Sequence, residues 1–328
     1  MPKPFIKVIG FISVAGVILA CLAVISGQHP VSVRDREFDA IIEEAVAKIY
    51  STESVSFQAL VAGCSHGRAI NLDDMGLKGV NLSMPWLDFF ETDYQLRLLL
   101  PRLSNVRTVF IAIPYFAFVW DNGLSQDSQL LLSRRLFYYR APTIQFMPGD
   151  VKNFIKGKMW RLLRADHWGN VFFSSGTFAT ANQNGSPMPD AFSENPALLE
   201  QEARKRVDET VAYCQQVIAR DSEVRERVFG LLVALINDLA ARNVRVILFT
   251  PPYYFKYTEY FRAEIIRHMR DTMRRLQGAC NVEYYDFSES LDFIRSEHFF
   301  ENSDHLNKGG VHMFSLKLEK VISDNKRN

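Results

Sequence analysis

Apolar residues in this chain fall into two patterns: short, mostly apolar runs, and longer stretches in which they recur every three or four positions. Runs of the first kind lie at 57–62, 79–82, 106–113, 244–250 and 282–286, the third closed by Pro114 and the fourth by Pro251-Pro252. A short apolar run bounded by turn residues predicts a strand buried on both faces. Stretches of the second kind lie at 86–103, 202–220, 222–242, 257–276 and 309–322, and predict helices. Strand and helix alternate, which predicts an α/β domain with a mostly parallel five-stranded sheet covered on both faces. The alternation fails between about 116 and 196, where helix-like pieces (128–139, 151–164) precede a Gly/Asn/Ser/Pro-rich run at 173–189. This stretch is expected to be a helical and irregular insertion over the functional edge of the sheet.

The N-terminus has its own pattern. Lys3 and Lys7 precede an uncharged, apolar stretch at 8–27, and about 20 such residues suffice to cross a bilayer core. Residues 1–30 are expected to be a membrane anchor with its start in the cytoplasm. Residues 31–52 are expected to form a stem helix carrying Phe38, Ile41, Ile42, Ala45 and Ile49, and 53–328 the domain proper. The expected location is the bacterial inner (plasma) membrane, single-pass, with the domain periplasmic or extracytoplasmic. Two other readings stay open: a cleaved signal peptide, and a lipoprotein whose Ile18-Leu19-Ala20-Cys21 makes Cys21 the lipidated residue. All three export the domain.

Composition narrows the function classes. Among 328 residues, 48% are hydrophobic and 23% charged, which allows a sizeable core and excludes global disorder. A net charge of +1 without a basic stripe argues against a nucleic-acid partner. The cysteines, Cys21, Cys64, Cys214 and Cys280, are too widely spaced for a disulfide framework or a zinc site. Cys64 and Cys280 read as small buried hydrophobes. No metal and no organic cofactor is expected.

Parallel sheets bind ligands beyond the C-terminal ends of their strands. Ser65 follows the first predicted strand, Tyr115 the third, Tyr253 and Tyr254 the fourth, and His305 the fifth. Gly63 lets the chain turn sharply before Ser65, exposing a hydroxyl beside backbone N–H groups suited to an oxyanion. The competing reading is a serine that caps the next helix. His305 is the candidate base, with Asp304 or Asn302 orienting its ring; alternatively it belongs to a capping loop in which Asn307 starts the last helix. His66 adjoins Ser65 and stays in view, though adjacent residues seldom point the same way at a turn.

Taken together, the segments Gly63-Cys64-Ser65-His66, Val80-Asn81-Leu82, the Pro-terminated strand near 113, Thr250-Pro251-Pro252-Tyr253-Tyr254 and Asp304-His305-Leu306-Asn307 followed by Gly310 resemble the SGNH/GDSL hydrolase superfamily. The resemblance runs from 57 to 322 without the insertion. It is nearest the membrane-anchored branch that modifies cell-envelope polysaccharides. It implies a flavodoxin-like three-layer sandwich, Ser65 as nucleophile and first oxyanion donor, His305 as base, and Asn81 or an amide near Gly79 as a further oxyanion contact. Two positions depart from the family pattern. Ile113-Pro114-Tyr115-Phe116 stands where an asparagine is usual, and Asn302 stands three residues before the histidine where an acid is usual. Asparagine accepts from an imidazole but does not stabilise its cation as a carboxylate does.

The expected function is an exported, membrane-tethered serine esterase or O-acyltransferase acting on a cell-envelope glycan. Its partners would be an acyl donor or acylated glycan and a multi-pass membrane acyltransferase. The alternative is an inactive member of the fold that binds glycan or assembles with such an enzyme. In the insertion, Trp120, Tyr138, Tyr139, Trp160 and Trp168 read as a sugar-stacking surface or as packing. Arg134, Arg135, Arg140, Arg161 and Arg164 read as an anion-binding surface or a solvated face.

Overall fold

The computed structural model describes residues 47–85, 87–121, 196–294 and 296–325. The expected anchor, residues 31–46 of the expected stem helix, and residues 122–195 of the expected insertion lie outside the described residues. Among the described residues no helix is long and apolar enough to cross a membrane.

Five strands form one sheet: β1 (Ala59–Ala62), β2 (Gly79–Asn81), β3 (Thr108–Ala112), β4 (Arg245–Thr250) and β5 (Glu283–Asp286). Their order is β2-β1-β3-β4-β5, and every neighbouring pair is parallel. All four residues of β1 are buried, as are Val109 to Ala112 of β3 and Val246 to Thr250 of β4. Continuous burial on both faces is why these strands are unbroken apolar runs rather than alternating ones. The chain moves outward from β1 to β2, then returns past β1 to β3, so the switch in direction lies between β1 and β3. In such sheets that switch opens the ligand crevice.

Seven α-helices are described: α1 (Phe89–Leu99), α2 (Pro196–Arg220), α3 (Val224–Ala241), α4 (Phe255–Tyr260), α5 (Ala263–Ala279), α6 (Leu291–Ile294) and α7 (Lys308–Asn325). Asp88 opens α1, its side chain accepting the Glu91 N–H at 2.8 Å in a capping box. Helices α1, α3 and α5 pack against one another in sequence. Right-handed crossovers place the three on one face of the sheet. Helix α7 covers the other, where Phe314 meets Phe249, Phe287 and Phe293 at ring distances of 5.9, 5.1 and 6.1 Å.

Two local features depart from the sequence expectation. The predicted helix at 257–276 is two helices, because the chain turns extended at Phe261 (ψ 141°). That turn drives the Phe261 ring against Tyr115 and Tyr257, 5.4 and 5.5 Å away, and burial of an aromatic outweighs continuity of the helix. The segment before α7, for which the sequence suggested a capping loop, is a small hairpin built from β6 (Phe300–Asn302) and β7 (His305–Leu306). Strands of three and two residues carry no readable period.

Candidate active site

The end of β1 builds the first half of the site. Gly63 has φ +105°, a conformation open to glycine and costly for other residues. The chain then enters a 3₁₀ turn at Ser65–Ala69 whose first internal bond runs from the Gly67 N–H to the Cys64 carbonyl, 3.0 Å. The N–H groups of Ser65 and His66 precede that bond and are left over by the turn's own pairing. A Cβ on Gly63 would meet Ile111 Cγ2 at an ordinary 3.6 Å. The cost of Gly63→Ala is therefore backbone strain, about 1–3 kcal/mol. Urea unfolding is expected to show a loss of that size. Unchanged stability would mean the turn reaches Ser65 without the positive φ.

The β6–β7 hairpin builds the second half. Asn302 and His305 are paired across the strands, so their side chains share one face, and Ser303-Asp304 make the turn. The Asn302 side chain accepts the Asp304 N–H at 3.2 Å. From β7, His305 Nε2 stands 2.8 Å from Ser65 Oγ, across 240 residues of sequence. Its Nδ1 faces two acceptors, Asp304 Oδ1 at 2.8 Å and Asn302 Oδ1 at 3.0 Å. The i−1 carboxylate reaches the ring because the hairpin turn folds Asp304 back under it. The capping reading holds as well: Asn307 Oδ1 accepts the Gly310 N–H at 3.0 Å and starts α7. One loop thus opens a helix and presents an imidazole.

Arg206 of α2, a residue without a sequence motif, approaches Asp304 Oδ1 at 3.1 Å. Glu202, one turn earlier, bonds Arg206 and accepts the Ser303 N–H at 3.0 Å. The hairpin is held further by the Tyr254 N–H, which donates to the Ser303 carbonyl at 3.1 Å. Burial alone would raise the Asp304 pKa, but Arg206, and after it His305, holds the carboxyl well below the usual range. Burial lowers the His305 pKa; Asp304 opposes this, while His66 and Arg206 add to it. The imidazole is therefore neutral, as a base must be. A base whose pKa is depressed becomes competent as pH rises through a value below 6.5. The acid limb of kcat/KM is expected below pH 6.5; a limb at 7 or above would contradict the neutral resting imidazole.

His66 is almost fully buried and stacks on His305, with ring centres 4.8 Å apart at 27°. Its Nδ1 lies 3.4 Å from Cys64 Sγ, and its Nε2 lies 3.4 Å from Asp304 Oδ2. That second approach is too poorly aligned for a hydrogen bond, so Nε2 has no hydrogen-bond partner. Burial pulls the His66 pKa down, but Cys64 and then Asp304 outweigh it and lift it to about 9. His66 and His305 do lie together, although consecutive residues at a turn were expected to diverge. The turn sends Ser65 toward the edge of the His305 ring and His66 beneath its face.

Two expected contacts, Asn81 and Tyr115, are taken up by the fold itself. Asn81 donates its amide hydrogens to the Gly67 and Ile70 carbonyls at 3.0 and 3.1 Å, while its Oδ1 accepts the Ser83 N–H at 3.0 Å. It clamps the loop and has no hydrogen left for an oxyanion. Tyr115 is buried, bonds Thr258 at 3.2 Å and packs on Tyr253, with ring centres 4.8 Å apart. Burial lifts its pKa to about 12, and it serves as core beneath the site rather than as a substrate contact. Tyr253 is fully buried with its edge on His66, and its hydroxyl has no partner. Trp120 packs between Phe116 and Tyr213, at ring distances of 4.8 and 4.0 Å, as filling rather than a sugar platform. The other insertion aromatics and arginines lie outside the described residues.

His66, Asp304 and His305 are the one cluster with metal-ligand potential among the described residues. Arg206 occupies the carboxylate they share, which disfavours a second cation there. Neither a family model nor a curated protein matches the chain. Among solved structures, a Bacteroides fragilis protein provisionally described as an acylhydrolase is similar at a TM-score of 0.39 and 10% identity, over 86% of this chain and 94% of its own.

Proposed function

We propose that the protein is a serine-dependent acyl hydrolase or O-acyltransferase. The observation that carries this reading is the continuous relay from Ser65 Oγ to His305 Nε2 at 2.8 Å and from His305 Nδ1 to Asp304 Oδ1 at 2.8 Å. Nucleophile, base and orienting carboxylate are each within hydrogen-bond reach, the arrangement that activates a serine. Ser65 Oγ attacks an ester carbonyl while His305 takes its proton. The oxyanion accepts from the Ser65 and His66 N–H groups. His305 then returns the proton to the leaving alcohol, and water or a sugar hydroxyl takes the acyl group from Ser65. The inactive alternative drew on the missing asparagine near 113 and the missing acid at 302; Asp304 supplies a carboxylate in place of the second.

The finer reading is an exported enzyme on an N-terminal anchor, passing acyl groups to or from a cell-envelope glycan beside a multi-pass acyltransferase. Its support is the lysine-flanked uncharged stretch at 8–27 and the motif resemblance. The test of the chemistry is a fluorophosphonate probe together with acetyl-ester hydrolysis. Covalent labelling at Ser65, absent from Ser65→Ala, is expected. An unlabelled wild type that hydrolyses no ester would leave the fold without this chemistry.

A further inference from the structure

Asp304 faces two histidines, bonding one and approaching the other at 3.4 Å, and each histidine faces a different nucleophile. On one side stand Ser65, His305 and Asp304 Oδ1. On the other, Cys64 Sγ lies 3.4 Å from His66 Nδ1, and His66 Nε2 lies 3.4 Å from Asp304 Oδ2. The nucleophiles are adjacent in sequence, the imidazoles are stacked 4.8 Å apart, and the carboxylate is shared. We infer that Cys64 is a second nucleophile of this site, one that takes an acyl group as a thioester from an activated donor, an acyl thioester or an aryl ester.

The second relay is not needed to build the turn. A packing role for Cys64 would ask only for a small apolar side chain, and a buried histidine normally satisfies both ring nitrogens. Here one nitrogen faces a thiol and the other is unpaired, aimed at a carboxylate it does not bond. The fully buried hydroxyl of Tyr253, whose ring packs roughly perpendicular to that of His66 with centres 5.7 Å apart, is also unpaired. These two orphaned groups, one on the His66 ring and one on the tyrosine packed against it, mark a place where a polar ligand atom would complete the pairing. Relay contacts of this kind are often long in the free enzyme and tighten around substrate. A thiol beside an imidazole is activated by transfer of its proton.

The step balances as follows. In the unprotonated form of His66, which its raised pKa of about 9 confines to alkaline pH, Nδ1 takes the thiol proton and Sγ attacks the acyl carbonyl carbon. The donor's bond from that carbon to its sulfur or oxygen breaks, and the leaving group receives the proton from His66. A hydroxyl acceptor (water, a sugar or Ser65) later attacks the thioester. Its proton passes through an imidazole to Sγ as the C–S bond breaks.

The inference rests on the reading of the site as an acyl-handling one, and the experiment separates the two. Ser65→Ala is treated with p-nitrophenyl acetate and its peptides are read by mass spectrometry; His305→Gln, which removes the serine's base, is a second background. The expected result is one acetyl group on Cys64, released by neutral hydroxylamine, with Cys214 and Cys280 as internal controls. Adding His66→Gln is expected to slow this labelling by about 10²-fold, the usual worth of a positioned base. If the wild type forms a Ser65 acyl adduct while neither background acetylates Cys64, or if Cys214 and Cys280 label as fast, the cysteine proposal is overturned and the serine reading stands. A wild type that forms no adduct and hydrolyses no ester overturns both.

Discussion

Ser65→Ala and His305→Ala are each expected to lower acetyl-ester hydrolysis by about 10⁴-fold or more, and the double variant by hardly more than either single one. The magnitude follows from how the two groups act. Without the hydroxyl there is no covalent intermediate. Without Nε2, which lies 2.8 Å from the hydroxyl, the serine must lose its proton to water. Either deletion disables the same step, so their costs do not add. Residual activity would come from the backbone N–H groups of the turn, which neither substitution removes. Stability is the control. Both side chains are partly exposed at the edge of the sheet, so neither truncation empties the core. Near-additive losses, or a few-fold loss with folding intact, would place catalysis outside this pair.

The sheet could be read from the sequence because all five strands are parallel and the inner ones are buried on both sides, which leaves apolar runs with no polar interruption. Ser65 and His305 were legible for a related reason. Ser65 sits just past the end of β1 and the longer segment that carries His305 follows β5, and a parallel sheet gathers those ends at one edge whatever their separation in sequence. What was not legible came from contacts without a local pattern. Arg206 is one charged residue among several on α2, and nothing in its neighbours shows that it meets a carboxylate from 98 positions further on. The choice between Asp304 and Asn302 was not legible either, because adjacent side chains usually diverge, a rule that fails when a two-residue turn folds one of them under the next. Asn81 and Tyr115 were assigned by resemblance and position. Their chemistry was suited to a site, but the local loop and the aromatic core had already used it.

The two acceptors at His305 Nδ1 separate by experiment, because one carries a charge and the other does not. Asp304→Asn is expected to lower kcat by about 10³–10⁴-fold, and Asn302→Ala by about tenfold or less. During the attack on the ester, His305 becomes a cation. A carboxylate 2.8 Å away stabilises that cation far better than an amide oxygen at 3.0 Å. The amide still helps, since it holds the turn through the Asp304 N–H, and so its loss is not free. The pH profile distinguishes a charge effect from a disordered hairpin. Asp304 raises the His305 pKa while His66 and Arg206 lower it. Removing the charge of Asp304 therefore leaves the depressing influences unopposed, and the acid limb of kcat/KM is expected to move to still lower pH. A hairpin that had merely come loose would expose the imidazole and bring the limb back toward 6.5, the ordinary value for histidine. Should Asn302→Ala prove the more damaging variant, with the limb unmoved in Asp304→Asn, the asparagine would be the orienting group and the carboxylate only a counter-ion for Arg206.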